Sequence, residues 1–312
     1  MANRIFNLSL ISTEAILPRL GTIKAELSAR GFRLRGETHL NPGFSDHAPD
    51  PMGDAFSITM EADLTADDCS ALSQHLGTSF ELDAIIQDKQ HAQIPKKLAC
   101  FDMDSTLIQH EVMDELAYRH GIGEKISAIT ELSMRGEISF KESFEERLAC
   151  LEGFDATLIP GMAQSLKLMP GAEVLVKTLR AKGTKVMILS GGFENFAVYL
   201  QQTLGPLDAI YSNILEVENG RLTGKITNQL VDESRKLTLI KGLARKHGIE
   251  DQQTIAVGDG ANDIPMLLHA GLGIAYHAKP LVQEKARHCI NYTNLAAILY
   301  VLGCSRSEFV EL

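Results

Sequence analysis

Two hydrophobic rhythms divide the chain. Residues 5–11 alternate Ile5, Asn7, Ser9 and Ile11 against Phe6, Leu8 and Leu10, the period of two of a half-buried strand. Residues 13–30 then carry Ile16, Leu17, Leu20, Ile23 and Leu27 at helical spacing, with Pro18 early and Gly31 as the stop. Extended runs follow at 32–40, 55–62 and 82–86, with a Pro/Gly/Asp-rich loop at 41–53 and a helix over 67–76 capped near Thr65 or Asp67. The predicted order is βαββαβ over residues 1–88. Residues 89–97, charged and containing Pro95, read as a linker.

From residue 98 the pattern changes. Short, fully apolar runs at 98–101, 185–189, 208–212, 254–257 and 272–275 suit parallel strands buried on both faces. Cys289 and Ile290 add a last short strand, and 295–302 a closing helix. Residues 109–182 are helical in pattern (111–120, 125–135, 139–151, a turn at 153–159, and a fourth helix past Pro170-Gly171) and have few β-branched runs. Asn219-Gly220 between extended runs over 214–226 predicts a tight hairpin. A helix begins near Asp232 or Ser234 and runs to His247, with Gly248 as its stop. The fold class expected is α/β: a doubly wound parallel sheet interrupted by a helical cap at about 110–180, behind an N-terminal α+β unit of ferredoxin-like order.

Composition narrows the partners. The 312 residues are 45% hydrophobic and 22% charged, with a net charge of −10 and a pI near 5.5. That balance speaks against nucleic acid or an anionic membrane surface. No run reaches transmembrane length, and residues 1–14 lack the features of a signal peptide. Five scattered cysteines without a CxxC suggest reduced thiols and a cytoplasmic protein.

The chemistry lies at strand ends. LACFDMDSTLI turns from apolar to acidic at Asp102 and Asp104, where open α/β sheets bind ligands. Two close carboxylates with Ser105 and Thr106 after them suit a hard cation such as Mg²⁺ beside an anion. Ser190-Gly191-Gly192 ends another strand, where small residues allow backbone N–H groups to approach a phosphate. GDGANDIPML follows a third, bringing Asp259, Asn262 and Asp263. His269, His277 and His288 have no ligand spacing and read as structural.

DMDSTL resembles the first motif, DxDx(T/V), of the haloacid dehalogenase superfamily, and the Ser-Gly-Gly and GDGxND segments resemble its second and fourth. That resemblance implies Asp102 as nucleophile, Asp104 as general acid and base, and Mg²⁺ held by Asp102, Asp259 and the backbone carbonyl of Asp104. It implies Ser190, Gly191 and Asn262 on the phosphate. It also implies a third-motif cation, for which Lys236 aligns best, Arg235 is a rival and Lys241 a poor one. Within the superfamily the cap resembles that of the phosphoserine phosphatase family. Glu111 stands where that family meets the substrate ammonium, Arg147 where it grips the carboxylate, and Met134 and Phe140 where it keeps apolar contacts. The implied reaction is hydrolysis of O-phosphoserine, the last step of serine biosynthesis. Another small phosphate ester, or a mutase reaction, remains the alternative, and an amino-acid sensor attached to an inactive phosphatase is a more distant one. Residues 1–88 resemble ACT-type domains, which implies a homodimer through this unit and serine as a feedback ligand, against the blander reading of a packing domain.

Overall fold

The computed structural model describes residues 4–45, 50–134 and 137–311; of the residues between 133 and 140, the side chains of Ser133, Met134 and Phe140 are also outside the description. The expected apolar cap contacts of Met134 and Phe140 therefore lie outside the described residues.

The N-terminal unit is a four-stranded antiparallel sheet of β1 (Arg4–Ser12), β2 (Arg33–His39), β3 (Asp54–Ala62) and β4 (Asp83–Asp88), in the order β2-β3-β1-β4. Its two helices, Leu17–Ala29 and Ala66–Phe80, cover one face. The alternation seen in the sequence accounts for this packing: Phe6, Leu8 and Leu10 meet Ile23, Leu27, Leu72 and Leu76 in one core. Thr65 caps the second helix in a reciprocal capping box with Asp68, settling the choice between Thr65 and Asp67. The first helix starts at Leu17, later than its pattern suggests, with Pro18 in the first turn where its missing N–H is harmless.

Residues 89–97 are more ordered than a linker pattern suggests. Asp88 caps a helical turn, Lys89–Ala92, through Gln90 and His91 N–H groups. Lys97 N–H then bonds to the Gln253 carbonyl, and Thr184 Oγ1 donates to the Lys96 carbonyl.

The second sheet contains β5 (Leu98–Phe101), β6 (Lys185–Phe193), β7 (Ala209–Asn213), β10 (Thr254–Gly258), β11 (Leu272–Tyr276) and β12 (His288–Ile290), all parallel, in the order β12-β11-β10-β5-β6-β7. β8 (Leu215–Glu218) and β9 (Arg221–Ile226) form the separate hairpin. The chain winds outward from β5 to β7 on one side and from β10 to β12 on the other. The switch point is therefore the seam between β5 and β10, where such sheets bind ligands. Phe101 pairs with Val257, so the residues following both strands emerge side by side.

Two expectations change. β6 does not stop at Leu189; it continues irregularly to Phe193, so Ser190 and Gly191 lie within the strand rather than just past it. The cap comprises Val112–His120, Gly123–Met134, Phe140–Ala149 and Ile159–Gln164. The helix Ala172–Ala181 packs on β6 and on Glu194–Leu204, so a cap drawn to about residue 180 takes in a helix that flanks the sheet. The hairpin turns at Asn219 (φ 50°) and Gly220 (φ 78°), both left-handed as a type I′ turn requires. It packs on Phe140–Ala149, joining sheet and cap.

The two sheets meet at Asp83. Its carboxylate accepts from the N–H groups of Asn291 (2.6 Å), Tyr292 (3.1 Å) and Thr293 (2.9 Å) and from the Thr293 hydroxyl (2.5 Å). Gln87 Nε2 donates to the Val301 carbonyl, and Arg306 pairs with Asp50.

Candidate active site

β5 ends at Phe101 and delivers Asp102 to the mouth of the seam, where its N–H donates to the Val257 carbonyl at 2.9 Å. Asp102 Oδ1 accepts from Met103 N–H at 2.7 Å, and Oδ2 lies 2.9 Å from Lys236 Nζ. Lys236 is fully buried and also donates to Asp263 Oδ1 at 2.7 Å. Two carboxylates hold its charge so firmly that its pKa lies above the usual lysine value despite burial. Arg235, the rival, lies half-buried beside it, its N–H bonded to the Asp232 cap; Lys241 is exposed. Adjacent helix positions point about 100° apart, and the turn that Asp232 starts aims position 236 inward.

Asp102, Asp259 and Asp263 bring one carboxylate oxygen each within 4.8 Å of the others. Burial and the Asp102 charge push Asp259 up to about 7 and Asp263 up to about 8. Hard, crowded, buried oxygens of this kind suit a divalent cation. Asp263 is already engaged at both oxygens, by Lys236 and by Gly260 N–H at 3.0 Å. Among the described residues, the Asp259 carboxylate has Thr106 Oγ1 at 3.4 Å and Lys279 Nζ at 3.9 Å. The Asp104 side chain is not part of this group, which leaves only its backbone carbonyl for the metal role expected of it.

Asp104 faces the same space from another direction. Its Oδ1 has no hydrogen-bond partner among the described residues, and its carboxyl is raised well above the ordinary range by burial, then by the charges of Glu111 and Asp102. The N–H of Val112, opening the first cap helix, opposes this. Gly192 leaves room for it: a Cβ there would stand 2.9 Å from Asp104 Oδ2 and 2.8 Å from Met103 Cε. Ser190 is fully buried, and its Oγ accepts from Gly192 N–H at 2.8 Å, so the hydroxyl proton is free for another acceptor. Asn262 Nδ2 lies 3.7 Å from where a Gly191 Cβ would be.

A sequence model of the haloacid dehalogenase-like hydrolases matches residues 99–268. The phosphoserine phosphatase of Archaeoglobus fulgidus is 42% identical over 249 residues, which span 79% of this chain and 72% of that protein. The chain belongs to the phosphoserine phosphatase family. Among solved structures, a probable phosphoserine phosphatase from Vibrio cholerae superposes with a TM-score of 0.74 at 30% identity, covering 97% of this chain and 88% of that one. A haloacid dehalogenase family hydrolase from Salmonella enterica superposes with a TM-score of 0.82 at 29% identity, covering 95% and 98%.

In this phosphoserine phosphatase family member the cap supplies the outer wall. Glu111 precedes the helix Val112–His120, and its Oε1 accepts from Ser105 Oγ at 2.8 Å. Desolvation raises its carboxyl; the Lys279 charge is the main opposition. Arg147 is half-buried on Phe140–Ala149, with Nε donating to the Ser143 carbonyl at 3.2 Å. Burial lowers its pKa, against the pull of Asp114 and then Glu111. The sequence reading passed over two residues. Asn213 is fully buried at the end of β7; it donates to the Gly191 carbonyl at 2.7 Å and accepts from Val231 N–H at 3.0 Å. Lys279 follows β11. Both are polar residues just past or at a core strand's carboxyl end, the signal that had marked Asp102.

Proposed function

We propose that this chain hydrolyses O-phosphoserine to serine and phosphate through a phosphorylated Asp102, the last step of serine biosynthesis. The observation that carries this reading is the contrast between neighbouring carboxyls. Asp102 lies against the Lys236 ammonium at 2.9 Å, whereas Asp104, with no partner at Oδ1 among the described residues, is buried and its carboxyl is raised well above the ordinary range, favouring its protonated form. A nucleophile and an acid are thereby separated by environment.

An Asp102 oxygen attacks phosphorus, and the bond from phosphorus to the serine oxygen breaks. The leaving oxygen takes the Asp104 proton, so a poor alkoxide departs as an alcohol. Asp104, now a carboxylate, takes a proton from a water that attacks the same phosphorus. The Asp102–phosphorus bond then breaks, phosphate leaves, and both carboxyls return to their starting states. Ser190, Gly191, Asn262 and Lys236 hold the phosphoryl oxygens. Glu111 faces the substrate ammonium and Arg147 its carboxylate. Asp102, Asp259 and the Asp104 carbonyl would hold Mg²⁺, with Asp263 orienting Lys236 and Gly260, and the ion would supply charge neutralisation between the two anions that must meet.

At this level also belong a homodimer through residues 1–88, serine as a ligand of that unit, and a cytoplasmic location, the last supported by five free cysteines. Light scattering with and without serine tests the assembly. Phosphate release from a panel of phosphate esters, with and without Mg²⁺, tests the substrate. Asp102→Asn is expected to lower turnover of phosphoserine by at least about 10³-fold; full turnover in that variant refutes the assignment.

A further inference from the structure

The mouth of this site is acidic. Glu111, Asp114 and Glu115, with His110 and Tyr118, line an open depression of about 530 Å³, Asp102 and Asp259 are buried carboxylates of the same site, and the chain carries a net charge of −10. A substrate bearing a phosphate dianion must approach against that field. Lys236 offers little at a distance, because it is buried and its charge is matched by Asp102 and Asp263. Arg147 is half-buried and faces Asp114 and Glu111.

Lys279 differs from both. Its side chain is 60% exposed and reaches within 3.9 Å of Asp259 Oδ2, too far for a tight pair. Its backbone is fixed: its N–H donates to the Asp259 carbonyl at 3.1 Å. Two residues earlier, His277 takes a left-handed conformation (φ 41°), donates through N–H to the Ile290 carbonyl and contacts the Thr293 carbonyl through Nε2 at 2.8 Å. An anchored main chain with a largely exposed ammonium suits a fixed base and an adaptable charge. Lys279 is also the leading counter-charge for both Glu111 on the cap and Asp259 on the core.

We infer that Lys279 is a substrate-capturing residue, an entrance cation that draws the phosphorylated substrate past the acidic rim toward Asp102. The inference rests on the reading of the site as a phosphomonoesterase for an anionic metabolite. Lys279 is the N-cap residue of the short helix Pro280–Lys285, but its side chain makes no cap bond there, so the substitution leaves the local fold supported.

The test is steady-state phosphoserine hydrolysis by the full chain, its Lys279→Gln and Lys279→Arg variants, at low and high NaCl. Lys279→Gln is expected to lower kcat/KM by about 5- to 10-fold at low salt, through KM, with kcat within about two-fold. The gap between Lys279→Gln and the unmodified chain narrows as salt screens the Lys279 charge, and Lys279→Arg restores both values. A wild-type KM and salt slope in Lys279→Gln overturns the inference. So does a loss confined to kcat, or a failure of arginine to rescue. If the unmodified chain releases no phosphate from phosphoserine, it is the functional reading that fails instead.

Discussion

Asp259 and Asp263 show how single residues here depend on their neighbours. An unfolded aspartate titrates near about 4, whereas burial and the Asp102 charge place these at about 7 and about 8. The folded state therefore holds protons that the unfolded chain has lost. Their contribution to stability is complete below the unfolded value and disappears as pH rises through the two folded values. A cation that binds only the ionised carboxylates acts in the opposite sense. Chelator-treated protein should lose thermal stability between about pH 5 and about pH 8, and excess Mg²⁺ should restore most at the upper end, on the order of 2–3 kcal/mol at a hundredfold excess over Kd. Equal melting temperatures with and without Mg²⁺ at the upper pH would count against the cluster as a metal site. At this scale the residue types were legible in the sequence, because carboxylates at strand ends have few other uses. Lys236 was preferred over Arg235 on the family resemblance alone; that it is Lys236 which meets Asp102 depends on which way one helix is turned.

Elements illustrate a different limit. The hairpin of β8 and β9 was plain from Asn219-Gly220, because few residues tolerate two successive left-handed positions. Its role in the molecule was not plain. Gly224 (φ 74°) lies against the cap helix, and a Cβ there would stand 3.0 Å from Ala149 Cα and 3.1 Å from the Ala149 carbonyl oxygen. At Gly220 (φ 78°) a Cβ would meet nothing within 4 Å. Gly220→Ala should cost only the backbone strain, about 1 kcal/mol, and Gly224→Ala that strain plus displaced packing, about 2–4 kcal/mol in all. Urea unfolding measures both; equal midpoints for the two variants would show that the hairpin merely rests near the cap. The extension of β6 through Ser190 to Phe193 was missed for a related reason. Ser-Gly-Gly reads locally as a turn, and the pairing of Phe193 with Asn213 that prolongs the strand comes from a neighbour elsewhere in the chain.

For the whole molecule, the informative contact is Asp83 with Asn291–Thr293, across more than two hundred positions. Four donors converge on a carboxylate only 2% exposed. Burial raises its pKa and the donors oppose that. Asp83→Asn places an amide N–H₂ against some of those donors and should cost about 2–4 kcal/mol. Chemical denaturation would show a lower midpoint, with the N-terminal sheet separating from the parallel sheet as a distinct transition. One transition at the unmodified midpoint would mean that other contacts, such as Gln87 with Val301, already suffice.

The amino-acid order by itself determined the periods, caps and turn residues, and with them the two sheets, the helical insertion and the acidic strand ends. These are properties of neighbouring residues, set by side-chain direction and backbone preference within a few positions. Only the tertiary structure decided that Lys236 bridges Asp102 and Asp263, that Asp83 clasps the end of the parallel sheet, and that Lys279 stands at the entrance. Each of those depends on segments distant in the chain being pressed together by burial of a shared core, and no local pattern records which surfaces will meet.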